Sequence, residues 1–298
     1  MLAGLLWIPF TLLAAAGQTA RNAMQRELTA ALGTVGATHV RFLFGFPFAI
    51  AFLAGVLAVT GLPVPAVPAI YWPWIFLGAG AQIVATALML ATMSDRSFVV
   101  TIAYIKTEAI QAALFGLIFL GDRLTIGMVV AIVVATAGVI MMSLKGKGAM
   151  EGGLRPVALG LLSGAMFALS AVGYRGAILS LGLSSFVLTA TFTLATGLIL
   201  QAGLLTLYLA LRDRKVLVAI AQAWRPSLFA GFMGATASQF WFLAFALTSV
   251  ANVRTLALVE VLFAQAISYF VFKQTTTRRE ALGMSLIVAG CALLIWVQ

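Results

Sequence analysis

Apolar stretches about as long as a membrane-crossing helix alternate with short polar joints along the 298 residues of this chain. Crossing a hydrocarbon core of about 30 Å takes about 20 apolar residues in helical form. Stretches of that kind fall at 2–20, 37–59, 70–92, 97–120, 124–144, 154–174, 184–207, 226–247, 251–272 and 279–297. The joints between them are polar or rich in Gly and Pro, as in Gly61-Leu62-Pro63-Val64-Pro65, Gly121-Asp122-Arg123 and Arg212-Asp213-Arg214-Lys215. Within each stretch the apolar residues are continuous rather than alternating, which excludes a transmembrane β-barrel. The pattern predicts an all-α integral membrane protein with about ten transmembrane helices. Consecutive helices run antiparallel because several joints are only a few residues long.

The pattern also repeats. A shift of 152 places Glu108 on Glu260, Thr125 on Thr277 and Gly138 on Gly290. A shift of 149 joins Arg26 to Arg175 and Gly33 to Gly182, and one of 157 joins Gln82 to Gln239. These matches divide the chain into a first five-helix repeat at 1–144, a basic linker at 145–153 and a second repeat at 154–298. Five is an odd number, so the second copy enters the membrane from the opposite face. The expected fold is two inverted five-helix repeats (5+5), the arrangement that underlies alternating access in many carriers.

Composition agrees with a lipid solvent. Hydrophobic residues make up 63% of the chain and charged residues 9%, against roughly 25% charged in a soluble domain. The apolar run directly after Met1 reads as a first spanning helix rather than a cleavable signal. The net charge of +10 needs no nucleic-acid partner, because loop bias and anionic lipid account for it. With both termini outward, thirteen basic residues fall in cytoplasmic joints; with both inward, only Arg123, Arg175 and Arg254 do. The positive-inside rule therefore favours outward termini. One cysteine and one histidine leave no disulfide, thiolate cluster or histidine-built metal site within the chain. No Gly-x-x-x-x-Gly-Lys-Ser/Thr run is present to cradle nucleotide phosphates. No cofactor is expected.

Charged and polar residues at membrane depth are costly and so mark candidate sites. Lys106 and Glu108 lie in the fourth stretch, and Glu260 takes the equivalent place in the ninth with Arg254 at its mouth. On a regular helix Lys106 and Glu108 point about 200° apart, so they are expected on different faces. The two glutamates are candidates to bind protons or to orient a substrate amine; each could instead simply pair with Lys106, Arg41 or Arg254. Arg41 is a candidate anion ligand, while His39 beside it reads as an interfacial cap. Gln18, with Arg21 or Asn22 a turn later, forms a polar stripe ending the first helix. Gln82, Gln239 and Tyr104 add uncharged polar groups at depth, as do Gln111 and Gln265. Trp241 is placed to stack on a flat solute. Trp7, Trp72, Trp74, Trp224 and Trp296 read as interfacial anchors. Gly160 and Gly164 offer a close helix contact, and Asp122 reads as a partner of Arg123 or a cap.

The joint Gly121-Asp122-Arg123-Leu124-Thr125, followed by an apolar helix with its late Gly138, resembles the EamA family of the drug/metabolite transporter superfamily. The second copy resembles it through Thr248–Asn252, Arg279-Glu280-Ala281-Leu282-Gly283 and Val288-Ala289-Gly290. Its joint Lys273–Thr277 lacks the family's acidic-Arg-Leu core, and Asp122 stands where Glu is usual. The resemblance covers the whole chain. It implies ten helices in two inverted repeats and a secondary carrier in the cell membrane, often the bacterial inner membrane. The expected activity is alternating-access export of a small metabolite, such as an amino acid or related amphiphilic solute, with proton coupling or exchange. An uncoupled facilitator or channel is the alternative. A lipid-acting enzyme or a non-transporting scaffold lacks any supporting constellation. A monomer suffices to enclose a site, and a dimer is compatible with the sequence.

Overall fold

The computed structural model describes residues 5–95, 101, 104–143, 154–270 and 277–297. Twelve α-helices account for most of them: α1 (Trp7–Leu43), α2 (Phe46–Thr60), α3 (Tyr71–Asp95), α4 (Glu108–Phe115), α5 (Ile126–Ser143), α6 (Leu154–Ser180), α7 (Phe186–Arg212), α8 (Arg214–Gln222), α9 (Trp224–Leu247), α10 (Val250–Leu256), α11 (Glu260–Phe270) and α12 (Arg278–Trp296). No strand occurs among the described residues. Among the described residues, six apolar segments are long enough to cross a membrane: Leu28–Thr60, Tyr71–Met93, Arg155–Ser180, Phe186–Arg212, Trp224–Leu247 and Arg278–Trp296. Glu108–Leu120 and Ile126–Met142 are apolar but shorter. The linker at 145–153 lies outside the described residues, as do 97–100 at the start of the fourth stretch.

The helix ends follow from local sequence. Ser185, Ser249 and Thr277 cap the starts of α7, α10 and α12 by accepting a backbone N–H, and Thr277 and Glu280 close a reciprocal capping box. Gly61 and Gly121 take left-handed φ values of 64° and 67° at helix ends, where a Cβ is penalised. The first helix is longer than the predicted 2–20. It runs past the polar stretch around Arg21 to Gly33, where φ 68° and ψ 174° break it; this conformation is essentially confined to glycine. Gly182, its match in the second half, also has positive φ, at 63°.

Two further helices among the described residues break within their length. At Lys106–Thr107 the bonding shifts to i→i+3, with Ala109 N–H donating to the Lys106 carbonyl and Ile110 N–H to the Thr107 carbonyl. The Thr107 hydroxyl donates to the Tyr104 carbonyl at 2.7 Å. In the second half α10 passes into a 3₁₀ turn, Ala257–Val259, before α11. Glu108 and Glu260 are each the first residue after a break. There the helix dipole favours a carboxylate.

Packing is densest for α3 on α6, α1 on α9, and α5 on α12. Small residues make these approaches. A methyl on Gly138 would lie 2.6 Å from the Gly283 carbonyl oxygen, and one on Gly290 would lie 2.7 Å from Ala135. Such contacts suit helices associating in lipid. Alanine is the commonest interior residue, and threonines are frequent there, as at Ala79, Ala109, Ala171, Thr191 and Thr255. The outer face is apolar instead, with Val59, Ile126, Leu207, Phe229 and Leu282 all exposed. The short helix α8 is amphipathic, with Ile220 buried and Arg214 and Lys215 exposed.

Candidate substrate and coupling site

Six side chains from opposite ends of the sequence close a ring inside the bundle. Lys106 Nζ donates to Glu260 Oε2 at 2.6 Å. The same oxygen accepts from Gln18 Nε2 at 3.2 Å. Gln18 Oε1 accepts the Trp241 indole N–H at 3.0 Å. The Arg254 guanidinium lies over the Trp241 ring, 4.9 Å from its centroid, and pairs with Glu108 at 3.6 Å. Lys106 and Glu108 complete the circuit at 4.0 Å. The charged members are 2–5% exposed, so their attraction acts far from bulk water.

The breaks explain how these groups meet. Lys106 and Glu108 were expected on different faces, yet they pair, because the regular 100° step does not hold across the turn between them. Gly164 lets α6 approach this turn, its nearest neighbour there being the Ile105 carbonyl oxygen. Glu260 faces Lys106 directly, and Arg254, one helical segment earlier, reaches back to Glu108.

A second polar network adjoins the ring. Arg41 Nη1 donates to the Thr86 hydroxyl at 3.3 Å. The Gln82 side-chain oxygen accepts from Tyr174 Oη at 3.0 Å and from Gln201 Nε2 at 2.8 Å. Arg21 and Arg41 both line Gly234 on α9, and Arg21 interacts electrostatically with Glu260 and Arg254. Of the sequence candidates, Glu108, Glu260, Lys106, Gln18 and Trp241 share the ring, while Gln82 and Arg41 belong to the adjoining network. Two stand apart. Gln239 donates to Thr191 at 2.7 Å beside an outer groove of α2 and α7, and Tyr104 packs against Gly160.

Several expectations need correction. His39 is no interfacial cap: it is fully buried, with Nε2 3.0 Å from the Thr206 hydroxyl. Arg21 is no joint residue either; it is buried at 1% exposure because the first helix continues past it. Asp122 pairs with Arg175 at 3.5 Å rather than with Arg123. Trp7 is buried at 1%, whereas Trp72, Trp224 and Trp296 are exposed as anchors should be. Arg254 was read only as a mouth residue and possible carboxylate partner, and Tyr174 and Gln201 were not singled out. A polar residue deep in an apolar stretch was the available signal for Gln201.

The buried ring joins residues from both halves of an apolar helical bundle, and the second half can be compared with known families. The model of the EamA-like transporter family matches residues 154–296. That second half belongs to the EamA-like transporter family. EamA proteins are membrane transporters of the drug/metabolite transporter superfamily, so the chain is a multi-pass membrane protein that handles a small-molecule substrate. Twenty-eight chains of solved structures match it. One of these, described only as the crystal structure of a protein, covers 99% of this chain and 96% of its own at a TM-score of 0.71. At 18% identity that likeness shows the fold alone. Comparison with curated proteins gives no match.

Proposed function

We propose that this EamA-family chain is a secondary carrier that moves a small metabolite by alternating access, in the export direction, across the bacterial inner membrane. The observation that carries this reading is the buried ring. It draws Gln18, Lys106 and Glu108 from one half and Trp241, Arg254 and Glu260 from the other, with both glutamates at helix breaks. Broken helices lining a site between inverted repeats suit a carrier.

The finer architecture belongs to the same proposal. Division of α1 at Gly33, and continuity of α2, α4 and α11 with the short segments before them, gives ten crossings in two inverted repeats, 1–144 and 154–298, joined by 145–153. The contacts support this. Shifting by 152 residues turns the contact of Gly138 with Gly283 and Ile287 into that of Gly290 with Ala131 and Ala135, and both occur. The pairings of α3 with α6 and of α9 with α1 are likewise images of one another.

Proton coupling and solute exchange are both compatible with carboxylates in the ring. Exchange is favoured by the cation already facing each glutamate, since an entering solute can displace a salt bridge without a proton. The test is transport in proteoliposomes with an imposed pH gradient and a mixed panel of amino acids, nucleosides, sugars and organic ions, read by mass spectrometry. Selective movement that Glu108→Gln and Glu260→Gln abolish supports the reading. Unchanged transport in both variants would remove these residues from the site.

A further inference from the structure

We propose that α8, with the arginine that follows it, is a docking site for the phosphate headgroups of anionic phospholipids, and that a docked headgroup braces the break in α1.

Position supplies the first argument. The helix joins the end of α7 at Arg212 to the start of α9 at Trp224, and both neighbours are long and apolar enough to cross a membrane. It therefore lies at the bilayer surface. Leu211 and Trp224 beside it are 75% and 50% exposed, and an exposed tryptophan at a helix end suits the headgroup level. Along α8 the exposed residues are Arg214, Lys215, Val218, Ala221 and Gln222. At 100° per residue they fall within an arc of about 120°. Ile220, on the opposite side, is 1% exposed. The apolar face is thus covered by protein, while the face carrying Arg214 and Lys215 is left outward.

Charge supplies the second argument. From Arg212 to Arg225 the chain has four cations, Arg212, Arg214, Lys215 and Arg225, and one acid, Asp213. All five are exposed. Asp213 caps α8 by accepting the Lys215 backbone N–H at 3.2 Å. Of the helices packed on α8, α7 and α9 contain no acid and α1 contains only Glu27, whose side chain lies outside the described residues. With Glu27 and Asp213 both set against the four cations, two positive charges remain. None of the four forms an ion pair among the described residues. Arg214 donates through Nε to the Ala210 carbonyl at 2.8 Å, which leaves its terminal nitrogens open. The Arg225 guanidinium lies over the Trp224 ring, 5.5 Å from its centroid. Arginine of this kind recognises phosphate. A free phosphate would meet only the cations, whereas a phospholipid also lays its acyl chains along Leu207 and Phe229, exposed about a turn deeper on α7 and α9.

The buried side of α8 gives the consequence. It packs on α1 so closely that a methyl on Gly36 would lie 2.9 Å from Val216 Cγ1. Gly36 follows the break at Gly33 by three residues. A headgroup that holds α8 in place therefore holds one side of that break.

The test titrates the full chain in neutral detergent with dioleoyl-phosphatidylglycerol or dioleoyl-phosphatidylcholine, counting bound lipid by native mass spectrometry and following the melting temperature. Preferential retention of phosphatidylglycerol with a raised melting temperature supports the proposal. Arg214→Gln, Lys215→Gln and Arg225→Gln should each weaken that retention about fivefold, as expected for one cation at a lipid surface, and Arg214→Lys should keep most of it. These side chains are exposed and glutamine is a good helix former, so the variants should fold. The control joins Arg278→Gln to Arg279→Gln, two exposed cations at the start of α12, and should change retention little. An equal loss in that control, or equal retention of the two lipids, would overturn the proposal. Glycerol phosphate raising the melting temperature as far as phosphatidylglycerol would overturn it in favour of a free phosphate. Stronger stabilisation by poly-L-glutamate would assign the face to an acidic protein instead.

Discussion

Glu260 Oε2 serves two donors, Lys106 at 2.6 Å and Gln18 at 3.2 Å, and this double use decides what substitution there does. Glu260→Gln leaves buried Lys106 without its close charge partner and with only the 4.0 Å contact to Glu108, an imbalance that costs up to about 3–5 kcal/mol, so the melting temperature should fall sharply. Pairing it with Lys106→Met removes both charges and should restore most of that stability while transport stays lost. A double-mutant cycle on unfolding measures the coupling, and additive single effects would show that the pair does not interact. Asp122 behaves differently, lying in the joint before α5. Burial lifts its carboxyl above the ordinary aspartate range, and Arg175 partly offsets the rise. A raised folded value means that the native state holds this proton more tightly than the unfolded chain does. The stability it carries is therefore complete below the ordinary value of about 3.9 and is lost as pH rises through the raised one. Asp122→Asn should flatten the dependence of melting temperature on pH across that window; an unchanged slope would exclude Asp122 as its source. Charged residues deep in apolar stretches were legible from the sequence because lipid makes them costly, and this found Lys106, Glu108 and Glu260. Arg21 was misplaced for the same reason, since a polar run around it looked like a joint.

At the scale of the helix, glycines set both the breaks and the contacts. Gly33 sits at φ 68° and ψ 174°, a region that costs other residues about 1–3 kcal/mol. Gly33→Ala should lower stability by about that amount, even though no atom lies within 4 Å of the added methyl. Gly55→Ala, also with open space but helical backbone, serves as the control and should change stability little. Gly138→Leu should act by wedging instead, because its Cβ alone would stand 2.6 Å from the Gly283 carbonyl oxygen. Overpacking of this kind costs about 1–3 kcal/mol or more, and unfolding midpoints in detergent would register it. The matches of Gly33 with Gly182 and Gly138 with Gly290 were readable as identities in the sequence. What those glycines do was not, since positive φ and close approach are properties of the backbone path.

For the molecule as a whole, burial changes the count that sets orientation. Arg21 and Arg254 are buried and Arg175 is held by Asp122, so none of them is a free loop charge. Setting them aside leaves Arg123 alone on one side against twelve basic residues on the other, which sharpens the expectation of outward termini. Lys215, exposed at the start of α8, then lies on the cytoplasmic side. With Cys291 replaced by Ser, Lys215→Cys should resist a membrane-impermeant thiol reagent in intact cells and react once the membrane is opened. Labelling of intact cells would invert the topology.

Sequence alone determined the solvent, the helical class and the family. Those follow from continuous apolar runs, scarce charge and the Gly121–Thr125 joint, all of which are local along the chain. It also named most of the ring, because a charge in hydrocarbon is conspicuous wherever it points. Only the tertiary structure decided which charges meet. The pairing of Lys106 with Glu260 spans 154 positions of sequence, and it depends on two helix breaks that redirect side chains away from any regular period. The same holds for the arginines beside the ring. Counting +10 over the whole chain is a matter of composition, whereas gathering Arg21, Arg41 and Arg254 around one buried point is a matter of packing.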